Sequence, residues 1–82
     1  MDLVELTEEI VKSLVSNTDG VSVKEFPSDE ENVMLIQVMV DEADIGRVIG
    51  KGGRTANAIR TLVQASSALK DNKYIKIDID KF

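Results

Sequence analysis

Ile45-Gly46-Arg47-Val48-Ile49-Gly50-Lys51-Gly52-Gly53-Arg54 sets three glycines in four consecutive positions, with aliphatic residues before them and cations throughout. Such a cluster needs a physical reason. Glycine reaches positive φ at no steric cost and lets another backbone or a phosphate approach where a Cβ would stand. If helices flank the run, successive amides of the loop and of the second helix's N-terminus can point outward together as an anion site. Lys51 then stands at the loop tip with Arg54 close behind. A phosphodiester lying across the loop would meet backbone donors and two mobile cations, with no carboxylate in the segment to compete for them.

The flanks support two helices. Asp41-Glu42-Ala43-Asp44 reads as a helix start with acidic groups near the positive end of the dipole, leading to a short helix with Ile45, Val48 and Ile49 on its apolar side. After the glycines, Ala56, Ile59, Leu62, Val63, Ser66 and Leu69 recur at helical spacing, which predicts a second helix from about Arg54 to Leu69. Lys70-Asp71-Asn72-Lys73 turns the chain into a strand in which Ile75, Ile77 and Ile79 alternate with Tyr74, Lys76, Asp78 and Asp80.

Upstream, Val33 to Val40 is apolar except for Gln37 and rich in β-branched residues. Its length and composition predict a central strand covered on much of both faces. Val21 to Phe26 alternates more weakly as another strand, joined to it by the acidic turn Pro27 to Asn32. At the start, Leu3, Leu6, Ile10 and Leu14, with Val11 and Val15 beside them, mark an amphipathic helix. Asp2 and Glu5 predict a capping box for it, and Asn17-Thr18-Asp19-Gly20 a stop with a left-handed glycine cap. The order is α-β-β-α-α-β, an α+β arrangement of one domain over 1–82.

Composition narrows the function. No Cys and no His occur among the 82 residues, which removes the commonest general base, thiolate nucleophiles and the preferred zinc ligands. An enzyme is not expected, and neither a metal nor a cofactor. No apolar run approaches the roughly 18 residues that cross a bilayer, and the acidic N-terminus is unlike a signal peptide, so a cytoplasmic protein without membrane contact is expected. The net charge of −5 looks wrong for a nucleic-acid binder, but it is segregated. Residues 45–70 hold five cations, Arg47, Lys51, Arg54, Arg60 and Lys70, and no acid; the other residues hold five cations and fifteen acids.

Other readings of the glycines can be tested by spacing. A P-loop needs four residues between glycines before Gly-Lys-Ser/Thr, whereas Gly46 and Gly50 enclose three and Lys51 precedes Gly52. A dinucleotide fingerprint would place its third glycine where Thr55 stands. What stays open beside the phosphate site is a tight helix-helix turn with solvated arginines. Only Phe26, Tyr74 and Phe82 are aromatic, too few and scattered for a base-stacking platform, and Tyr74 at a strand start suits packing.

Val48-Ile49-Gly50-Lys51-Gly52-Gly53-Arg54, between two amphipathic helices and before a strand, resembles the I-G-x-x-G signature of KH domains. The α-β arm ahead of a β-α-α-β core resembles their type II arrangement. The whole chain is similar to the small stand-alone bacterial KH proteins of the KhpA family. The resemblance implies a three-stranded mixed sheet with three helices on one face and a single-stranded RNA ligand clamped over about four nucleotides. It implies that Gly50, Lys51, Gly52 and Gly53 hold phosphates and that Arg54 adds a charge contact. Ile45, Val48 and Ile49 would line a groove opposite one edge of the strand Val33 to Val40. Arg47 and Arg60 are RNA contacts on this reading and solvated helix charges otherwise. Ala56, where many KH domains carry a larger aliphatic residue, implies a smaller apolar groove.

The resemblance further implies a post-transcriptional regulator or RNA chaperone, paired with itself as a homodimer and with a larger KH-containing RNA-binding protein. The alternative is a protein-interaction or dimerisation module in which RNA contact is secondary. Small residues such as Ala56 and Ala58, or the surplus apolar surface of Val33 to Val40, offer two possible pairing surfaces.

Overall fold

A computed structural model describes residues 2–70 and 72–82. Helix α1 spans Leu3–Lys12, strands β1 and β2 span Ser22–Phe26 and Val33–Val40, and helices α2 and α3 span Ile45–Ile49 and Arg54–Lys70. Strand β3 spans Tyr74–Lys81, and single 3-10 turns occupy Thr18–Gly20, Glu42–Asp44 and Lys51–Gly53. The three strands form one mixed sheet in the order β1-β2-β3. β1 runs antiparallel to β2 with Val23 opposite Val38, and β3 runs parallel to β2 with Ile36 opposite Ile77. Asp71, within the stretch where the sequence predicts the turn into β3, lies outside the described residues.

Parallel pairing requires a crossover, and α2 and α3 supply it across the face to which Ile36, Val38, Val40, Ile75 and Ile77 point. Leu3 and Val11 of α1, Val48 of α2, and Ile59 and Val63 of α3 close the core from the helical side. The strand β2 is central, as its composition predicts, but it is not covered on both faces. Ile36, Val38 and Val40 are buried under helices, whereas Leu35, Gln37 and Met39 on the other face are half-buried. With both edges paired, the open face of β2 is shielded by neighbouring side chains of β1 and β3, and no second layer is needed to account for its apolar run.

Two helical faces differ from their sequence pattern. In α1 the buried line is Leu3, Thr7 and Val11, while Ile10 and Leu14 pack at its border and Leu6 is half-buried. Thr7 satisfies its hydroxyl by donating to the Leu3 carbonyl at 2.7 Å, so a small β-branched side chain sits at the contact without an orphaned polar atom. In α3 the buried line is Ala56, Ile59, Val63 and Ser67. Leu62 and Leu69, counted as core from their spacing, face outward at 55% and 88% exposure. Ser67 takes the inner position because its hydroxyl donates to the Lys73 carbonyl at 2.8 Å and accepts the Lys73 N–H at 3.1 Å, tying α3 to β3.

The expected stop of α1 is also different. The helix ends at Lys12, and Gly20 is not left-handed. A Cβ there would fall 2.7 Å from Asp41 Oδ1, so the close approach of the Asp41 side chain favours glycine. At the other end of α1, the Asp2 carboxylate accepts the Glu5 N–H at 2.8 Å, as the capping pattern predicts.

These faces predict unequal costs for two substitutions within one turn of α3. Ile59→Ala should lower the unfolding free energy by roughly 3 kcal/mol, and Leu62→Ala should change it by less than about 0.5 kcal/mol. Urea unfolding followed by circular dichroism checks the pair; equal costs would mean that α3 is rotated about its axis.

Candidate nucleic-acid interface

The glycine run connects α2 to α3 by a loop that only glycine can make. Gly50 has φ +76° and Gly52 φ +62°, and a Cβ on Gly50 would stand 2.8 Å from the Thr55 backbone nitrogen. Gly50 N–H donates to the Gly46 carbonyl at 2.9 Å and Gly53 N–H to the Gly50 carbonyl at 3.1 Å, while Arg54 N–H donates to Lys51. Three of the amides expected to point outward are therefore consumed in closing the turn. The N–H groups of Lys51 and Gly52 have no acceptor among the described residues. With the exposed side chains of Lys51 and Arg54, which enter no ion pair among those residues, they make up a positively charged loop tip that could receive an anion.

The other expected site residues separate into three groups. Ile45 and Ile49 are half-buried on α2 beside the loop, and Arg47 is exposed on the same helix. Val48 is 0% exposed and belongs to the core, so it supports α2 from beneath and offers nothing to a ligand. Ala56 is likewise buried, and its size bears on packing under the loop more than on an open groove. Arg60 lies about 9 Å further along α3 than Arg54, given 1.5 Å of rise per residue. Its Nε donates to the Ile77 carbonyl at 3.3 Å, and its guanidinium also donates to the Asn57 side chain at 3.3 Å.

One detail of the expected groove differs in the structure: the strand Val33–Val40 has no free edge to offer. Both edges of β2 are paired, so Val33–Val40 cannot present one; the free edge on this side belongs to β3. Between α3 and that edge is an open groove of about 480 Å³, lined by Arg60, Gln64, Ala65, Ala68, Tyr74 and Ile75 among others. Gln64 accepts the Ile75 N–H at 2.9 Å and donates to the Lys73 carbonyl at 2.8 Å. Tyr74, expected as packing, is 58% exposed and borders this groove. Nothing in the local sequence pattern marks Gln64, because its partners follow from the order of strands.

Asp44 holds α2 in place. Expected as part of an acidic helix start, it is instead 1% exposed and makes no side-chain cap. Its Oδ1 accepts the Ser16 N–H at 3.0 Å and the Ser16 hydroxyl at 2.7 Å, and its Oδ2 accepts the Asn17 N–H at 3.2 Å. These donors, the Ser16 N–H foremost, with the nearby Arg47 charge as a smaller contribution, hold the carboxyl below its ordinary value of 3.8 despite burial. The chain after α1 and the start of α2 are thereby fastened together. Among the described residues no group of three or more Asp or Glu side chains converges to hold a metal ion, and no helix is long and apolar enough to cross a membrane.

The family profile described as KhpA/KhpB, KH domain matches residues 4–79. The chain belongs to that family. Among curated relatives, proteins named RNA-binding protein KhpA are 45% identical in Caldanaerobacter subterraneus subsp. tengcongensis and 44% identical in Clostridium perfringens, each over 92% of this chain and 96% of the relative. The one in Aquifex aeolicus is 47% identical over 78% of this chain and 75% of the relative. Those names are of RNA-binding proteins and not of enzymes. Among solved structures, Aquifex aeolicus Era bound to GDP and aluminium fluoride superposes with a TM-score of 0.72 at 21% identity, covering 98% of this chain and 30% of that one. Era in complex with MgGDPNP and nucleotides 1506–1542 of 16S ribosomal RNA gives 0.68 at 20%, with 96% and 29% covered. This chain thus spans about a third of Era, and the likeness establishes the KH-like fold alone.

Linkage gives the Asp44 tie a measurable pH signature. A carboxyl with a depressed folded-state pKa contributes stability that is present above its unfolded value and lost as pH falls through the folded one. Asp2, held low first by the Glu5 N–H, acts in the same direction and is common to both proteins compared. Asp44→Asn should be less stable than the parent at neutral pH, and the gap should narrow as pH drops from about 5 towards 2. Thermal unfolding across that range checks it; a constant gap would show that the Asp44 charge does not matter.

Proposed function

We propose that this KH chain binds single-stranded RNA through the Gly50–Gly53 loop, acting as a single module over 1–82. The observation that carries this reading is the loop itself: two amides and two cations at one tip that have no partner among the described residues, in a segment without acids. The relatives' shared name as RNA-binding proteins supports the ligand. Gly50, Lys51, Gly52 and Gly53 bear on one phosphate, Arg54 on the next, and Ile45 and Ile49 give the adjoining base an apolar wall. Arg47 reaches the strand from α2, and Arg60 serves at the end of the groove nearer the loop while its Nε stays on the β3 edge. A grip this small reads few bases, which suits a cytoplasmic post-transcriptional regulator or RNA chaperone with shallow sequence preference.

Gly52 occupies a left-handed conformation, so charge is better reversed at its neighbours. The double substitution Lys51→Glu with Arg54→Glu should leave the circular dichroism unchanged and weaken binding of a labelled single-stranded RNA more than about tenfold. For the parent, three or four phosphates neutralised on a single strand give an affinity that falls with salt by a log–log slope of roughly 2 to 3. Fluorescence anisotropy reads both; an unchanged affinity in the double variant removes the loop from the site.

Self-pairing is the second part of the proposal. Ala58, Leu62, Ala65 and Leu69 form an exposed apolar stripe at helical spacing along the outside of α3, whereas the open face of β2 is already half-buried. A symmetric pair across α3 covers that stripe and sets two loops on one particle, which offsets a weak single grip through avidity. A larger KH-containing protein is the other partner the stripe would take. Sedimentation equilibrium should give a dimer mass at micromolar concentration and a monomer for Leu62→Glu; a monomer in both removes the pair.

A further inference from the structure

On the face of the sheet that no helix covers, the register sets Phe26, Leu35 and Lys76 side by side in one row and Lys24, Gln37 and Asp78 in the next. There the strands frame an open hollow of about 380 Å³, lined by Phe26, Leu35, Gln37, Lys76 and Asp78 among others. Its apolar part is half-buried Leu35 and the Phe26 ring, which is 43% exposed. The phosphate loop is remote from it. Leu35 is roughly 17 Å of strand from Val40, beyond which the chain enters α2, and α2 packs on the other face of the sheet. The surroundings of the hollow carry a sign. The turn that joins β1 to β2 at this end holds exposed Asp29, Glu30 and Glu31, and Asp78 stands in the lining itself, against Lys24 and Lys76 as the nearby cations. None of these carboxylates enters an ion pair among the described residues.

We propose that this hollow docks a short basic segment of a partner protein. An aromatic or long aliphatic side chain of the segment lies between Phe26 and Leu35, and lysines or arginines flanking it meet Asp29, Glu30, Glu31 and Asp78. The volume is at the low end of the range for ligand pockets, which suits one anchoring side chain more than a broad folded surface. A partly exposed aromatic ring is the kind of residue on which such anchors gain most of their affinity, and the acidic rim gives orientation and speed of encounter. Charge complementarity selects this occupant over RNA, whose phosphates the rim repels. A second copy could offer only the basic α3 region to the hollow, and that contact is head-to-tail, does not close and would chain copies without limit. The site does not depend on the loop reading. Because the two surfaces lie on different faces and at different ends of β2, one chain can hold a phosphate strand and a basic partner together.

The test follows backbone amide NMR shifts of the full chain during titration with a synthetic peptide in which lysines alternate with leucines around a central phenylalanine. Shifts should concentrate at Phe26, Leu35, Gln37, Lys76 and Asp78 and leave Lys51, Gly52 and Gly53 in place. Phe26→Ala should stay folded by circular dichroism and bind the peptide about tenfold more weakly or worse. Glu30→Lys with Glu31→Lys, at exposed positions, should weaken binding severalfold and flatten its salt dependence. A lysine–serine peptide of the same charge should bind about tenfold more weakly than the apolar one. The proposal is overturned if no saturable binding occurs at millimolar peptide, if the shifts fall on α3 or the glycine loop, or if the lysine–serine peptide binds as well. A labelled single-stranded RNA titrated by itself should leave the same amides unmoved; if it moves them, the face belongs to RNA. In sedimentation equilibrium, a mass that climbs past the dimer with concentration and stops climbing in Phe26→Ala assigns the hollow to a second copy and equally overturns the partner.

Discussion

The parallel pairing of β2 with β3 is the constraint from which the rest of the molecule follows. Two parallel strands cannot be joined by a hairpin, so the chain between Val40 and Tyr74 must travel back along the sheet before β3 begins. One uninterrupted helix would make the return in a straight line. Here the crossover is folded into a five-residue helix and a seventeen-residue helix, and the corner between them is turned in the space of Gly50–Gly53. A corner that tight needs left-handed φ values, and its outer edge is left with unspent amides. The exposed glycine loop is thus a consequence of closing a parallel sheet over a short span, and the cations placed on it turn a structural necessity into a charged tip.

Holding that corner still is a separate problem, because α2 is too short to be stable by itself. Its position depends on polar groups drawn from distant parts of the chain. Asp44 reaches back to Ser16 and Asn17, and Asn17 in turn donates from its side chain to Asp41 at 2.6 Å. At the far end of the crossover, Gln64 and Ser67 bind the backbone at Lys73 and Ile75 and fix where β3 starts against α3. The ties from Asp44, Gln64 and Ser67 satisfy backbone groups that would otherwise be stranded at an element end, so they contribute both positioning and the avoidance of an unpaired backbone group. No buried side-chain nitrogen or oxygen among the described residues lacks a partner.

Local pattern revealed the elements and hid their long-range arrangement. Val33–Val40 and the alternation around Ile75, Ile77 and Ile79 were legible because a strand's period is read from neighbours two residues apart. The glycine corner was legible because nothing else explains three glycines in four positions. Leu62 and Leu69 misled because an apolar side chain at helical spacing carries no sign of which face is turned inward, while Thr7 and Ser67 were hidden by being polar. Asp44 was read by its local place before a helix, although its partners are 27 and 28 residues away. A free edge was expected on β2 for the same reason: that β3 takes it depends on strand order, which the periodicity of a single strand does not contain.

The net charge of −5 is the feature most at odds with a nucleic-acid ligand, and distance resolves it. The body is 35 Å in its longest dimension, several times the screening length of about 8 Å at physiological ionic strength. The acidic turn at Asp29, Glu30 and Glu31 lies at the start of β2, about 26 Å of strand from the α2 end, so the loop is screened from it. Four acids at the two ends of the crossover have partners. Asp44 is buried among donors, Asp41 accepts from Asn17, Glu42 stands 3.4 Å from Lys81, and Asp80 accepts the Lys81 N–H. Lys51 and Arg54 thus stand exposed in a segment, 45–70, that holds five cations and no acid, while the acids are distributed over the rest of the chain. An acidic protein with one basic corner selects the orientation of a phosphate strand more sharply than a uniformly basic one, at the cost of long-range attraction.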